Sequence, residues 1–414
     1  MVIGVVEESS AANVVTEKRS YIVPLTLMVS LYFGIGFITA LNDILVPHFK
    51  DLFHLTNVAA LLVQFCFFGA YFVMSVPSGW IVARIGYKSG IVVSLSLMGT
   101  GLLLFLPASL IIFYPLFLCA LFVVGSGLAL LQVAINPYVG ALGTPETASS
   151  RLNLAGGFNS IATTIAPKVG AAFIFIAAGA SAAQLAHSVR VPYAILATCA
   201  FAMAIITGFV HLPEAIEKRA ANSNAEGSAW RFRHLRLGAF AIFFYVGAEV
   251  AIGSIMISYL GQPSMGGLSH GAAARYVSLY WGGAMIGRFI GFIALRRIKA
   301  QNALAFVSLA ALLLVATTIV TSGHIALWAI VSCGLFNSVM WPCIFPLSTK
   351  GLGRFTSQGS GILITMVVGG AIIPLIQGFF ADAFGYRPSF AIVVVCYVYI
   401  LYFSLKGHRS TSAS

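Results

Sequence analysis

Long apolar runs separated by short polar breaks dominate the chain from residue 21 to residue 406. An α-helix rises about 1.5 Å per residue, so about 20 apolar residues cross the roughly 30 Å hydrocarbon core of a bilayer. Twelve runs are long enough, and we predict that each is a transmembrane helix. They cover residues 21–48, 57–82, 88–107, 111–142, 152–178, 191–211, 236–260, 271–295, 302–321, 325–349, 357–380 and 388–406.

A long polar segment divides the runs into two groups of six. Residues 212–235 are mixed in charge and rich in Asn, Ser, Gly and Ala, which is typical of a flexible linker. We therefore predict an N-terminal tail over 1–20, six-helix halves over 21–211 and 236–406, and a C-terminal tail over 407–414. With 59% hydrophobic and 8% charged residues, the composition indicates an all-α membrane protein and excludes a soluble one.

Positive charge is concentrated on one side of the predicted topology. The net charge of +12 would suit nucleic acid, but the positive-inside rule explains Lys and Arg in short loops between apolar runs. One side holds Lys18, Arg19, Arg84, Lys88, Arg151, the segment 218–236, the segment 296–299, Lys350, Arg354, Lys406 and Arg409. The other side holds Lys50, Arg190, Arg275 and Arg387. We therefore expect both termini in the cytoplasm and no nucleic-acid partner.

The two halves repeat short motifs at a constant offset. The corresponding positions are Gly79 and Gly287, Gly127 and Gly334, and Pro167 and Pro374. Members of each pair are 207 or 208 residues apart, about half the chain, which indicates an internal duplication. Two parallel six-helix repeats with a binding site between them are typical of transporters that work by alternating access.

Two carboxyl groups lie deep inside predicted spans. Asp43 follows Asn42 in the first span, and about 10 Å of helix separates it from Lys50. Glu249 lies about 21 Å from the cytoplasmic end of the seventh span, too deep to reach water there. An ionised carboxylate in hydrocarbon costs about 2.5 kcal/mol or more. Both are therefore candidates for binding a coupled cation. The alternative for Asp43 is a side chain that snorkels to water near the outer interface.

No feature of the sequence points to an enzyme, a resident metal centre or a cofactor. The six cysteines lie inside apolar runs without metal-ligand spacing. A glycine-rich phosphate loop, a nucleophile motif and paired His and Cys residues are all absent from the sequence. The one metal ion to consider is Na⁺ at Asp43 or Glu249, where it would be a transported ion.

The break between spans two and three has the sequence GWIVARIGYK, with a Gly, a spacer and then Arg-x-Gly-x-Lys. This pattern resembles the loop signature of the major facilitator superfamily. The resemblance implies a conformational loop that uses Gly79, Arg84, Gly86 and Lys88, with Ala83 where an Asp is usual. A tight glycine turn with cytoplasmic cations would explain the same residues.

Five further motifs are distinctive. They are LNDILVP (41–47), INPYVGALGTPETASSRLNLAGGFNS (135–160), YVGAEVAIGS (245–254), GRFIG (287–291) and GLFNSVMWPCIFPL (334–347). Together they resemble the motifs of the fucose–galactose–glucose:cation symporter family. The resemblance implies the major facilitator fold of twelve helices, acting as a monomer in the bilayer of the bacterial inner membrane. It also implies import of a hexose such as glucose or galactose, coupled to H⁺ or Na⁺, without a cofactor.

The resemblance carries over to individual residues in a mixed way. Asp43 and Asn42 match the first-helix carboxylate and its neighbouring amide, and Asn159 matches the fifth-helix Asn. Gln132 replaces the fourth-helix Glu of the fucose branch, so it cannot exchange a proton. Glu249 stands where that branch has an amide, and this exchange resembles the glucose/galactose and N-acetylglucosamine branches.

Two positions depart from the family pattern and leave the identity of the sugar open. Gly156 stands where a Gln is common, which removes a hydrogen bond to the sugar and opens space. Lys168 is an unusual intramembrane cation. It is a candidate charge partner for Glu249 or Asp43, or a group that attracts an anionic part of the substrate. The alternative is a lysine that snorkels to the membrane surface.

A sugar needs amides and carboxylates for its hydroxyls and an aromatic face for its C–H surface. The substrate-binding candidates are Asn42, Gln64, Gln132, Asn136, Asn159, Asn337 and Trp341. Several have structural alternatives. Asn136 would also satisfy backbone groups freed by Pro137, and Gln64 and Asn337 would form interhelical hydrogen bonds. Trp341 is also compatible with core packing.

Two polar residues are interpreted as lying outside this constellation. Gln377 is near the outer end of span eleven, where we expect a solvent-exposed rim. Arg288 is near the cytoplasmic end of span eight, where an anchor at the membrane surface is expected.

Two other functional classes stay open at this point. One is an exporter or antiporter of the same superfamily for another sugar-like or amphipathic substrate, which the NDILVP and RLN motifs disfavour. The other is a non-transporting sensor or scaffold, which would be expected to carry a sizeable soluble domain that this sequence lacks.

Overall fold

The computed structural model describes residues 21–55, 57–174, 181–210, 212, 227–265 and 267–409. Within these ranges it leaves out the side chains of some helical residues, Asp43 and Lys168 among them. The predicted N-terminal tail, most of the predicted linker and the end of the predicted C-terminal tail lie outside the described residues. Their boundaries therefore stay predictions.

Helices form nearly all of the described chain, which contains no β-strand in these ranges. In the first half they are α1 (Ile22–Phe53), α2 (Asn57–Leu103), α3 (Phe105–Ile111), α4 (Tyr114–Ala141), α5 (Ala148–Ile174), α6 (Ala182–Ser188) and α7 (Arg190–Phe209). In the second half they are α8 (Arg233–Leu260), α9 (His270–Ala294), α10 (Ala300–Val320), α11 (Gly323–Asn337), α12 (Met340–Thr349), α13 (Thr356–Thr365), α14 (Gly369–Phe384), α15 (Tyr386–Ser389) and α16 (Ala391–Tyr402).

Gly86 divides helix α2 into two membrane spans. Its backbone has φ 84° and ψ 171°, outside the helical region, and glycine adopts positive φ without the steric cost of a Cβ. The chain folds back at this glycine, and the close approach of its two arms shows this. A Cβ on Gly90 would lie only 3.1 Å from Cγ2 of Val82. The predicted spans 57–82 and 88–107 therefore lie on either side of this glycine.

The count of crossings agrees with the hydrophobic pattern. Ten helical segments of the described residues are long and apolar enough to cross a membrane. One of them, Leu62–Ile111, has 50 residues and contains the break at Gly86, so it holds two crossings. Helix α5 has 27 residues, enough to span at about 1.5 Å per residue, although it is richer in polar residues. The predicted fold of twelve spans is confirmed.

Two predicted spans of the second half are interrupted in the middle. The span predicted over 325–349 divides into α11 and α12 at Ser338 and Val339. The span predicted over 357–380 divides into α13 and α14 at a 3₁₀ turn, Met366–Val368. Irregular backbone at membrane depth is tolerated where it is buried in protein or lines a cavity. These breaks therefore mark the centre of the bundle as the place to look for a site.

The helices pack mainly within their own half. In the first half, α1 packs against α5, and α2 packs against α4 and α7. In the second half, α8 packs against α14, α9 against α11, and α10 against α11 and α16. The halves meet where α5 packs against α9 and where α13 packs against α2 and α4.

The halves approach most closely at one end of the bundle, here called the basic end. Its loops and helix ends carry Arg84, Arg151, Arg297 and Lys350. A Cβ on Gly79 would lie 2.8 Å from the backbone oxygen of Ser357, and a Cβ on Gly361 would lie 2.5 Å from that of Ser75. Both contacts join α2 to the region of α13, so two glycines allow the halves to close there.

A second contact closes the basic end between α5 and α9. The Ser150 hydroxyl donates to the Phe292 carbonyl at 2.6 Å. The neighbouring Arg151 donates to the carbonyls of Val139 and Gly140 at 3.0 and 2.5 Å, at the end of α4. A cation at a helix C-terminus satisfies free carbonyls and the helix dipole. Arg151 thus fixes the start of α5, from which Ser150 reaches the other half.

We predict that Gly361→Val opens the basic end. A Cβ there meets the Ser75 carbonyl, and overpacking costs about 1–3 kcal/mol, so the closed population falls. The measurement is the distance between spin labels at Glu146→Cys and Arg297→Cys, the basic-end label pair, in protein without other accessible cysteines. Gly69→Val is the matched control, because a Cβ on Gly69 meets nothing within 4 Å. Equal distances in both variants would contradict glycine-dependent closure.

Candidate functional site

Asn136 on α4 is a point at which the two halves make a polar contact. Its side chain is 1% exposed. Its Oδ1 accepts hydrogen bonds from the Tyr32 hydroxyl at 2.6 Å and from the Trp341 indole nitrogen at 3.4 Å. Tyr32 lies on α1 and Trp341 on α12, so two predicted substrate-binding residues meet across the halves. The indole bond is long and therefore weak.

Pro137 explains part of the polar chemistry around Asn136. A proline cannot donate to the carbonyl four residues earlier, which leaves the Val133 carbonyl without a helical partner. The Ser360 hydroxyl of the second half donates to that carbonyl at 2.9 Å. Asn136 itself donates through Nδ2 to the Gln132 carbonyl at 2.7 Å. Asn136 therefore both supports the helix next to the proline and presents its oxygen to the centre.

Three further predicted residues of the first half, Asn42, Gln64 and Gln132, form side-chain hydrogen bonds. Asn42 donates Nδ2 to Oε1 of Gln64 at 2.8 Å, and Gln132 donates Nε2 to the Tyr71 hydroxyl at 2.9 Å. Oδ1 of Asn42 has no hydrogen-bond partner, although the residue is only 2% exposed. Buried polar atoms normally have a partner. This oxygen is therefore a candidate contact for a ligand hydroxyl.

Asn159 is held where α1 and α5 touch. Its Nδ2 donates to the Tyr32 backbone carbonyl at 2.9 Å. A Cβ on Gly36 would lie 2.4 Å from the backbone oxygen of Asn159, so glycine is what allows the two helices to approach. Tyr32 therefore ties Asn159 and Asn136 together, through its carbonyl and its hydroxyl respectively.

Glu249 on α8 is buried among polar groups of the second half. It is 8% exposed, and its Oε1 has no hydrogen-bond partner. The hydroxyl of Tyr245, one turn earlier on the same helix, interacts with both the Glu249 carboxyl and the Arg288 guanidinium. Arg288 lies within electrostatic reach of the carboxyl. The carboxyl thus has a tyrosine and an arginine as neighbours.

Asn337 belongs to a hydrogen-bonded chain that runs from α16 to α8. Tyr397 donates to Asn337 Oδ1 at 2.7 Å, and Asn337 Nδ2 donates to the Tyr280 hydroxyl at 2.8 Å. Tyr280 in turn donates to the backbone carbonyl of Glu249 at 3.0 Å. Asn337 is 0% exposed. Both the oxygen and the nitrogen of its side-chain amide are therefore hydrogen-bonded. The residue lies directly before the break between α11 and α12.

Arg288 reaches across to the first half. One guanidinium nitrogen, Nη1, donates to the Gly156 carbonyl at 3.0 Å and also to the Ser160 hydroxyl, both on α5. A Cβ on Gly156 would lie 3.3 Å from Cδ of Arg288. The expectation that Arg288 is an anchor at the membrane surface is therefore wrong. The space predicted at Gly156 exists, and the arginine fills it.

Two predicted residues have side chains outside the described part of the chain, and one further expectation is corrected. The backbones of Asp43 and Lys168 lie in α1 and α5, but their side chains lie outside the described part, so their roles stay predictions. Gln377 was expected at a wet rim, and this is wrong, because it is 1% exposed and neither amide atom has a partner. Among the described residues, no group of three or more His, Cys, Asp or Glu could hold a metal ion.

The loop residues have different surroundings. Gly79 lies in the contact with Ser357, and Gly86 supplies the turn. Arg84 is exposed, whereas Lys88 takes part in an interaction. Their conformational role in transport stays a prediction.

Sequence reasoning missed the tyrosines that hold this centre together. Tyr32, Tyr71, Tyr280 and Tyr397 donate or accept hydrogen bonds there. Tyr245 interacts with Glu249 and Arg288. One signal was available, because Tyr245 precedes Glu249 by four residues and so shares its helix face. The other partners come from different helices, and no spacing in the sequence indicates them.

Twelve spans in two halves with polar residues between them define a class of membrane transporter. The family model described as Major Facilitator Superfamily matches residues 28–367. The chain belongs to this superfamily.

Within the superfamily, the chain belongs to the fucose–galactose–glucose symporter family. It is 50% identical over 397 residues to the "Glucose/galactose transporter" of Brucella abortus biovar 1 (strain 9-941), covering 95% of this chain and 96% of that protein. A variant of the Escherichia coli fucose:proton symporter FucP has a similar structure, with TM-score 0.87 and 32% identity over 95% of this chain and 100% of that one. FucP in the outward conformation gives TM-score 0.86 and 33% identity with the same coverage. These relatives are transporters and not enzymes.

We predict that Asn337→Leu lowers the thermal stability of the purified protein. Leucine leaves the hydroxyls of Tyr280 and Tyr397 without their amide partner in a buried site, at about 1–3 kcal/mol for each group. Melting temperature in detergent is the measurement.

The double variant Asn337→Leu with Tyr397→Phe provides the control. Removing the orphaned hydroxyl should recover part of the lost stability. An Asn337→Leu protein that melts with wild-type stability would contradict the hydrogen-bonded chain as a structural element.

Proposed function

We propose that this protein is a secondary active transporter that imports a hexose, glucose or galactose or a related sugar, together with H⁺ or Na⁺. Family membership supports this, since a relative 50% identical over almost the whole chain is named a glucose/galactose transporter. The observation that carries the proposal is the contact between Asn136 and Trp341, which places an amide and an indole from opposite halves at one point. A sugar between the halves would meet both groups.

The residues around that point suit a hexose. Sugar hydroxyls pair with amide oxygens and nitrogens, and the C–H face of the ring packs on an aromatic side chain. Oδ1 of Asn42 is buried without a partner, and the Trp341 indole bond of 3.4 Å is weak enough to be exchanged for a sugar hydroxyl. We assign Asn42, Gln132, Asn136, Asn159 and Trp341 to the sugar site.

Gln64 and Asn337 take supporting positions in this proposal. Gln64 orients Asn42 through their 2.8 Å hydrogen bond. Asn337 has both amide groups in use within the tyrosine chain, so we assign it to the scaffold of the second half. Holding binding groups in place with buried partners reduces the entropy lost when the sugar binds.

We assign coupling to Glu249 and Asp43. Gln132 cannot titrate, so these two are the acidic residues available deep in the spans. A buried carboxyl is stable when it is protonated, or when it is ionised and paired with a cation. Entry of a cation neutralises it, and moving one charge through 100 mV supplies about 2.3 kcal/mol for accumulation of the sugar.

Alternating access then requires opposite ends of the bundle to open in turn. We place the basic end in the cytoplasm by the positive-inside rule, with both termini on that side of the bacterial inner membrane and the protein acting as a monomer. Closure at Gly79 and Gly361 supports an outward-facing state. So does the likeness to FucP in the outward conformation.

Uptake of radiolabelled glucose into proteoliposomes tests this function, with H⁺ and Na⁺ gradients imposed separately and galactose or fucose as competitors. We expect one ion to drive accumulation. Glu249→Gln should reduce accumulation about tenfold or more, since coupling free energies commonly correspond to 5–150-fold effects. Exchange of sugar without a gradient should persist in this variant.

Glu146→Gln is the matched control, because Glu146 is an exposed acid in the loop between α4 and α5 at the basic end. It should accumulate glucose as the wild type does. Wild-type accumulation in both Glu249→Gln and Asp43→Asn would rule out coupling through these carboxyls. Export of sugar or dyes without uptake would favour an antiporter instead.

A further inference from the structure

Arg288 connects the acidic residue of the second half to a helix of the first half. Its Nη1 donates to the Gly156 carbonyl at 3.0 Å and also to the Ser160 hydroxyl. The same guanidinium interacts with the Tyr245 hydroxyl, which interacts with the Glu249 carboxyl. A series of neighbouring polar groups, here called the relay, therefore runs from Glu249 on α8, through Tyr245 and Arg288, to α5.

The relay also crosses the place where the halves separate. Helices α5 and α9 form one of the contacts between the halves, and Ser150 and Phe292 close it nearer the basic end. Arg288 is six residues before the end of α9, about 9 Å deeper along the helix. Its two bonds to α5 must break when the basic end opens.

Glu249 is the acidic member of the relay, so it is the one that can release and take up a proton. Arginine stays protonated, and tyrosine ordinarily titrates near 10. Among the described side chains, the groups that interact electrostatically with the carboxyl are Tyr245 on α8, Arg288 and Tyr280 on α9, and Tyr397 on α16. Helices α12 and α14 also pack on α8, but their titratable groups have other surroundings. Cys343 of α12 forms a hydrogen bond with Ser149, and Asp382 of α14 is exposed.

The two charge states of Glu249 make different demands on Arg288. Oε1 of Glu249 has no hydrogen-bond partner in this structure. A buried acceptor without a partner is unfavourable when it is neutral, and more so when it is charged. Ionisation would therefore draw the guanidinium toward the carboxylate and away from Gly156 and Ser160. The arrangement with Arg288 on α5 fits the neutral carboxyl.

We propose that Arg288 is a positioning residue that links the protonation of Glu249 to closure of the basic end. With the carboxyl protonated, Arg288 binds Gly156 and Ser160 and holds α9 on α5. When the proton leaves, the arginine turns to the carboxylate, and the basic end opens more easily. This inference rests on the proposed function, because it names the device that ties the coupled proton to the conformational change.

Gly156 has a specific part in this device. A side chain there would begin 3.3 Å from Cδ of Arg288, closer than most real Cβ contacts. The glycine thus leaves room for the arginine to lie along α5 and to reach a backbone carbonyl. Ser160, one turn further along α5, provides the second acceptor.

The experiment measures the conformation of the basic end as a function of pH, without sugar and without an ion gradient. The basic-end label pair is placed in protein reconstituted into lipid nanodiscs. We expect the open population of the wild type to increase about tenfold between about pH 5 and about pH 8, within the 5–150-fold range of typical coupling. In Glu249→Gln, whose side chain stays neutral, the open population measured without sugar should stay at its low value at every pH.

Three further variants examine the relay. Arg288→Gln should lose the dependence on pH, because no cation remains to change partners. Ser160→Ala should raise the open population at low pH but keep the dependence. Asp382→Asn is the matched control, since it removes an exposed acid of α14 and should respond to pH as the wild type does.

Several outcomes would overturn the proposal. One is a response to pH that survives in Glu249→Gln, and another is its disappearance in Asp382→Asn. A response to Na⁺ in place of pH would also overturn it. If Arg288→Gln does not fold, the double variant Glu249→Gln with Arg288→Gln, which removes both charges, should be insensitive to pH.

The labels report the protein without its cargo, so this result is separate from uptake. A sugar-independent response to pH could be absent while glucose is still accumulated, which would reject the relay and leave the proposed function standing. A response to pH without any sugar uptake would support the relay and reject the proposed function.

Discussion

Polar groups inside a hydrocarbon layer need partners within the protein, and this requirement governs the structure of the bundle. Pro137 removes a helical hydrogen bond, and Ser360 from the other half supplies the replacement at 2.9 Å. Asn337 has both amide groups paired with tyrosines in a site that is 0% exposed. Where such pairing is incomplete, as at Asn42 and Glu249, the structure leaves acceptors that a cargo can use.

The same requirement makes the interface between the halves reversible. Gly79 and Gly361 bring backbones together at the basic end without large interlocking side chains. The polar contacts across the centre are few, and the one between Trp341 and Asn136 is long at 3.4 Å. Hydrogen bonds of this kind contribute only about 0.6 kcal/mol on average in membrane proteins. A bound sugar or a proton can therefore shift the balance between closed and open ends.

The fold was largely predictable from the sequence, whereas the site was only partly so. Apolar runs show where helices cross, and Gly86 has no side chain to oppose a positive φ, so spans and turn follow from local chemistry. Tyrosine hydroxyls count little in hydropathy, and their partners depend on which helices touch. Arg288 and Gln377 were misplaced for a related reason, because a span end in sequence does not reveal whether a side chain turns inward.

The link between sugar binding and the charge of Glu249 is tested most directly by calorimetric titration of the purified protein with glucose. Titrations in two buffers of different ionisation enthalpy give the number of protons taken up per sugar bound. Binding of glucose to the conformation with a closed basic end should bring net proton uptake in the wild type and none in Glu249→Gln, because linked equilibria are reciprocal. Equal proton uptake in both proteins, or glucose binding without any uptake in the wild type, would contradict the link.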